Sequence, residues 1–351
     1  MKRAGVTAVQ KAEVVVAVAL IVLAGAYAVA AQQRAPPSST LASSSALATS
    51  VTSSPAPSGT ASTSSPYLSS SSSSGSISHV IVVLMENEEY GSVIGSPSAP
   101  YENSLAANYA LAANYTGVAH PSLPNYLALV SGSTFGVTTD CFPAQCSLPS
   151  TVPTVASLLD AHHLSWMEFA QSMPTNCSQL ESPDGLYLPK HDPFVYFGSV
   201  TGNDGTGATS AYCDSHVVSL SQFYLDLASG GLPNYSFVTP NMCNDGHSCP
   251  LSTGDHWLST FVPRVINSSA FSSTAMFIVY DEGSPTDLTG GGGYVACLLV
   301  SPFAKPGYVS HVSYSHYSLL ATVETIFGLG NMGRNDATAS PMSDLFAGGL
   351  P

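Results

Sequence analysis

The chain has 351 residues, of which 44% are hydrophobic and only 9% charged, against about a quarter charged in an ordinary soluble domain. Its 22 acidic residues face eight Lys and Arg, and from His79 onward there are 21 acids and four bases, Lys190, Arg264, Lys305 and Arg334, a net of −17. Nucleic-acid backbones and anionic membrane surfaces are held by clustered Lys and Arg, so this composition argues against both; an anion bound here needs a metal ion or a helix N-terminus to supply positive field.

In chain order, Lys2, Arg3 and Lys11 precede an uncharged run from Val14 to Ala31, 18 residues long. A secretory signal carries an apolar stretch of about 7 to 15 residues and a spanning helix about 17 to 25, so residues 1–34 read as either a cleaved signal peptide or a signal anchor. Either way the remainder is exported. Residues 35–76 are almost wholly Ser, Thr, Ala and Pro, too poor in apolar surface to offset the entropy of ordering. They read as a disordered linker, either a plain spacer or an O-glycosylated stalk.

Residues 77–351 are long enough for one large α/β domain. His79 to Met85, Ala275 to Tyr280 and Tyr294 to Val300 are apolar on both faces, as strands are in a sheet covered by helices on each side. Helical patterns are predicted at Asn103 to Tyr115, Val152 to Ala161, His256 to Ile266 and Ser318 to Phe327. The fold class is therefore α/β, a three-layer sandwich. Seven cysteines suit an oxidising compartment. Cys141 with Cys146 and Cys243 with Cys249 are close in sequence, leaving Cys177 for Cys213, one of the fifteen pairings that six cysteines allow, and Cys297 as a buried free thiol. Sequons at Asn114, Asn176, Asn234 and Asn267 permit glycosylation.

Two predicted strands end in acidic pairs, Glu86-Asn87 and Asp281-Glu282. Open α/β sheets gather ligands at the carboxyl ends of their strands, so both pairs point into one crevice, where a divalent metal on carboxylate and amide oxygens would make the like charges tolerable. The competing reading is that they cap helices or face solvent. In His120-Pro-Ser-Leu-Pro-Asn-Tyr126 two prolines fix Ser122 in a turn, with Asn125 near the start of the helix that Tyr126 to Val130 suggests, which suits a nucleophile at Ser122 but also an ordinary turn serine. His191 and His247 lie in loops bearing Pro or Gly, where histidines suit proton transfer.

Together these segments resemble the phosphoesterase family of acid phosphatases and phospholipases C, within the alkaline-phosphatase superfamily. The matching pieces, in order, are Val80 to Asn87, Ala99-Pro-Tyr101, His120 to Tyr126, Lys190-His-Asp-Pro-Phe194, Thr239-Pro-Asn241 with Asn244-Asp-Gly-His247, Gly254 to Leu258, Asp281-Glu-Gly283 and His316 to Leu320 with Glu324. The resemblance implies an alkaline-phosphatase-like fold and a metal-dependent reaction on a small phosphorylated substrate. Ser122 matches the nucleophile that takes the phosphoryl group, and Glu86, Asn87, Asp281 and Glu282 match the metal-holding positions. His191 and His247 match histidines around the phosphate that help protonate the leaving alcohol. His120, Asn125 and Asp245 match further motif positions, so Asn125 and Asp245 join the expected substrate ligands and His120 and Asn125 the expected catalytic set. Asp255 matches a motif position of unassigned role. The phospholipase branch carries Pro-Asn-Arg where this chain has Tyr126, which favours an acid phosphatase acting on monoesters. A phospholipase C or phosphodiesterase is the alternative, membrane contact coming from the amino-terminal anchor if uncleaved, and a non-catalytic stalked binding protein is the alternative of another class.

Overall fold

The computed structural model describes residues 76–202 and 209–350, so the predicted amino-terminal segment and all of the linker except Ser76 lie outside the described residues. The elements that frame the site are β1 (His79–Met85), α1 (Pro100–Asn108), β2 (Ala110–Thr116), α2 (Ser122–Ser131), α3 (Val155–Ala161), β3 (Trp166–Ala170), β4 (Val217–Ser219), α4 (Leu220–Ser229), β5 (Tyr235–Thr239), α5 (Leu251–Ile266), β6 (Thr274–Tyr280), β7 (Tyr294–Val300), β8 (Tyr308–Ser310), β9 (Tyr314–Ser315) and α6 (His316–Phe327). The strands form one mixed sheet in the order β4-β3-β5-β1-β6-β7-β2-β8, with β9 beside β2. All run parallel except β7, which is antiparallel to both β6 and β2.

Side chains alternate between faces along a strand, yet every residue from Val80 to Met85 and from Thr274 to Tyr280 is buried. Both faces of the sheet centre are therefore covered, as the continuous apolar runs require. The helices do so in two sets, α2 packing on α3 and α6, and α1 on α5. Among the described residues no helix is long and apolar enough to cross a membrane.

The three predicted strands form where expected, and three of the four predicted helices form, α5 beginning five residues earlier at Leu251. The fourth is corrected: the helix stops at Asn108, and Ala110–Thr116 is strand β2. Ala110-Leu-Ala-Ala carries good helix formers, but the segment lies between β7 and β8 and hydrogen-bonds to both, so tertiary pairing overrides propensity. The disulfides join Cys141 to Cys146, Cys177 to Cys213 and Cys243 to Cys249. Cys297 is a buried free thiol whose pKa burial pushes up.

Candidate active site

Parallel pairing of β1 with β6 sets Met85 opposite Tyr280, so the residues that follow, Glu86 and Asp281, emerge side by side. Asp281 N–H donates to the Met85 carbonyl at 3.0 Å. Asn87 turns into the left-handed region, φ +58°, which Asn tolerates better than most residues, and its N–H donates to Asp281 Oδ1 at 3.0 Å. On the other flank of β1, the loop after β5 returns Asp245, whose carbonyl accepts from Glu86 N–H at 2.9 Å.

The loop that carries Ser122 arrives from β2, two strands beyond β6. It crosses β6 and β7 only because glycine faces glycine: a Cβ on Gly117 would lie 2.7 Å from the Asp281 carbonyl, and one on Gly292 would lie 2.6 Å from the Ala119 carbonyl. Asn125 then fixes the loop from below. Its Oδ1 accepts from Val118 and Ala119 N–H at 2.8 and 3.1 Å, and its Nδ2 donates to the Ala119 and Pro121 carbonyls at 2.8 and 3.3 Å. Expected as a catalytic residue and substrate ligand, Asn125 is buried with its carboxamide committed to the loop backbone, which makes it a positioning residue.

Ser122 opens the ten-residue helix α2, where unpaired N–H groups and the helix dipole favour negative charge. Its hydroxyl donates to Glu86 Oε2 at 3.0 Å and lies 3.4 Å from Glu282 Oε1. Glu282 is further held by the imidazole of His120, whose other ring nitrogen meets the Asp287 carbonyl at 2.9 Å. The helix end is tied down by Arg334, which donates to the Ser131 and Pro153 carbonyls at 2.6 and 3.1 Å.

His191 sits between Glu86 Oε2 and Asp245 Oδ2, each 3.2 Å from a ring nitrogen. Burial opposes its protonation, but the Glu86 charge and the contacts to both carboxylates outweigh that and hold it up at about 9. Glu86 is correspondingly held down at about 2: burial alone would raise it, and the His191 charge and hydrogen bond, with Lys190 and Tyr126, reverse that. His247 is lowered by burial, with Glu86 opposing and Lys190 and His191 reinforcing. Of the two neighbouring histidines, one is thus pushed toward the charged form and the other toward the neutral form. Lys190 Nζ reaches His247 Nε2 at 3.1 Å and Asp140 Oδ2 at 2.9 Å, and Asp140 Oδ1 accepts from Leu123 N–H at 3.0 Å.

Glu86, Asn87, Ser122, His120, His191, Asp245, His247, Asp281 and Glu282, all expected from sequence, therefore share one crevice. Asp255 does not join them: its carboxylate accepts from Tyr101 and Glu102 N–H at 3.2 and 2.9 Å, capping α1. Three contributors escaped the sequence reading of the site. Lys190 could have been flagged as one of only four bases in the domain. Asp140 carried no signal. Tyr126, noted only as a departure, donates to Glu86 and stacks on His191. His316, at the start of α6, anchors the loop after β6: its Nε2 meets the Asp281 carbonyl at 2.5 Å and its Nδ1 the Tyr115 hydroxyl at 3.1 Å, burial lowering its pKa to about 4.

The residues present fit a divalent cation. Asp281 Oδ2 is buried without a hydrogen-bond partner, and burial, together with the charges of Glu86 and Glu282, pushes the Asp281 pKa well above the carboxylate range, a conflict that a cation relieves. Glu86, His191 and His247 also bring ligand-capable atoms within 4.8 Å of one another. Both ring nitrogens of His191 face carboxylates at 3.2 Å, and the buried Asp281 Oδ2 lies in the Glu86, Asn87, Asp281 and Glu282 set, so both groups of side chains fit a cation.

A model of the phosphoesterase family matches residues 96–330. The chain is 32% identical over 269 residues to a phosphate-repressible acid phosphatase of Penicillium chrysogenum, covering 74% of this chain and 61% of that one. It is 32% identical over 271 residues to a phosphatidylinositol-3-phosphatase of Mycobacterium tuberculosis, covering 77% of this chain and 83% of that one. In fold it is similar to a protein in the alkaline phosphatase superfamily from Vibrio parahaemolyticus, with a TM-score of 0.50 and 14% identity over 77% of this chain and 72% of the other.

Proposed function

The chain belongs to the phosphoesterase family, and on that premise we propose that it is an exported, metal-dependent acid phosphatase that hydrolyses phosphate monoesters through a phosphoserine at Ser122. The observation that carries the reading is the Ser122 hydroxyl at a helix N-terminus, 3.0 Å from Glu86 Oε2, beside a carboxylate with an unpartnered buried oxygen at Asp281. Relatives of the chain include an acid phosphatase and a phosphatidylinositol-3-phosphatase, names that differ in substrate and agree in removing phosphate. Three disulfides suit an exported protein.

Ser122 Oγ forms the new bond to phosphorus as the bond to the leaving alcohol breaks. Its proton passes to the Glu282 carboxylate, 3.4 Å away, which burial raises above the ordinary range and makes a stronger base than Glu86, held down at about 2. Glu86, Asn87, Asp281 and Glu282 would hold a divalent cation, which would make the hydroxyl more acidic and offset phosphoryl charge. His191, protonated and fixed between two acids, and Lys190 add positive charge on the far side of Ser122. The Lys190–His247 pair, sharing a hydrogen at the half-buried mouth of the site, is placed to protonate the leaving oxygen. Asp245 and Tyr126 orient His191 and Glu86, His120 orients Glu282, and Asn125 shapes the loop. Water then cleaves the phosphoserine and frees phosphate.

The test is phosphate release from p-nitrophenyl phosphate and from its bis-ester, before and after chelation and metal replacement. A preference for the monoester, lost on chelation and restored by a divalent metal, is expected. Preference for the bis-ester would favour the phosphodiesterase reading, and inertness of folded, metal-supplied protein toward both would favour a binding protein.

A further inference from the structure

Beside the phosphate site lies a cavity of about 280 Å³ between the Asp140–Phe142 and Leu188–Lys190 segments, with Glu181 and Tyr196 completing its walls. Its inner end is Lys190 and Asp140, and Asp140 accepts from Leu123 N–H, so the cavity begins one residue from Ser122. Its walls are mostly apolar, and Phe142 leaves 38% of its surface exposed along it. A second hollow of about 850 Å³ shares Phe142 and Glu181 with it, and on its wall Leu180 is 73% exposed. Exposed apolar side chains in adjoining hollows are the usual lining of a ligand pocket.

Charge narrows what fits. Lys190, the one base in the cavity wall, is paired with Asp140 at 2.9 Å, and Glu181 adds a second carboxylate to the wall. The cavity therefore offers no positive field to a second phosphate, while its apolar walls reward an uncharged organic group. We infer that this cavity is the leaving-group subsite and selects monoesters of uncharged, largely apolar alcohols, aryl or long-chain alkyl, over sugar bisphosphates and other polyphosphorylated esters. The inference rests on the phosphatase reading above and adds its substrate class.

Steady-state kcat/KM for 1-naphthyl phosphate, β-glycerophosphate and a sugar bisphosphate, measured on the full chain and on Phe142→Ala and Glu181→Lys, tests it. The wild type is expected to favour the naphthyl ester over β-glycerophosphate by about tenfold or more, the scale on which apolar pockets discriminate. Phe142→Ala should lower naphthyl turnover about tenfold with β-glycerophosphate nearly unchanged, and Glu181→Lys should raise turnover of the bisphosphate relative to both. Equal effects on all three esters, or none, in an active enzyme would overturn the subsite while leaving the phosphatase reading intact. A wild type inactive on every ester would overturn that reading, and the subsite with it.

Discussion

The phenol ring of Tyr126 lies flat against the imidazole of His191, ring centroids 5.2 Å apart and planes 4° from parallel, while its hydroxyl donates to Glu86. One side chain thus fixes both members of the Glu86–His191 ion pair from within α2. Tyr126→Phe keeps the stack and removes the donor. Because the site is fully buried here, the variant should lose about 1 to 3 kcal/mol of stability and about tenfold in kcat, a 1.4 kcal/mol rise in barrier, with little change in KM. Thermal melts and monoester kinetics would check it; unchanged kcat would remove Tyr126 from the account.

The crossing of the Ser122 loop over β6 and β7 depends on Gly292. Gly292→Ala places a methyl carbon 2.6 Å from the Ala119 carbonyl, backbone against backbone, so the loop itself must shift. A misplacement of the order of 1 Å costs about a hundredfold in rate. Activity is expected to fall on that scale while circular dichroism stays native, because the strands beneath do not move; full activity would show that the loop has slack.

Glu102 provides a pH signature away from the chemistry. Buried on α1, it accepts from Tyr280 Oη at 2.9 Å, and burial, opposed by that hydrogen bond and reinforced by Asp255 and Glu88, raises its pKa from 4.5 to about 8. The folded state therefore holds a proton that the unfolded chain releases above about 4.5, and stability falls as pH rises from there toward 8. Glu102→Gln retains an acceptor for Tyr280 and removes the titration. Melting temperatures from pH 5 to 9 should decline less steeply in the variant; parallel curves would contradict the assignment.

The parts of the fold legible in sequence were those whose physics is local. β1, β6 and β7 declare themselves because both faces are buried, and the acids after β1 and β6 follow from the rule that strand ends gather ligands. β2 was hidden, since Ala110-Leu-Ala-Ala reads as helix until β7 and β8 flank it. In the site, residue types were legible and roles less so. Asn125 looks like a ligand in its motif, yet its amide is consumed by the loop it shapes. Asp255, whose motif position carries no assigned role, caps a helix. Asp140 gains its place through Leu123 N–H and through Lys190, 50 residues away in sequence, contacts no spacing rule foretells.

The most direct test of the central claim is the rate of phosphate release from p-nitrophenyl phosphate by Ser122→Ala beside the wild type, with divalent metal supplied and folding verified. Loss of the attacking oxygen should reduce kcat by about 10³-fold or more, as removal of a covalent nucleophile does. A folded Ser122→Ala protein that keeps its rate within about tenfold, a barrier difference near 1.4 kcal/mol, would contradict a phosphoserine at this position.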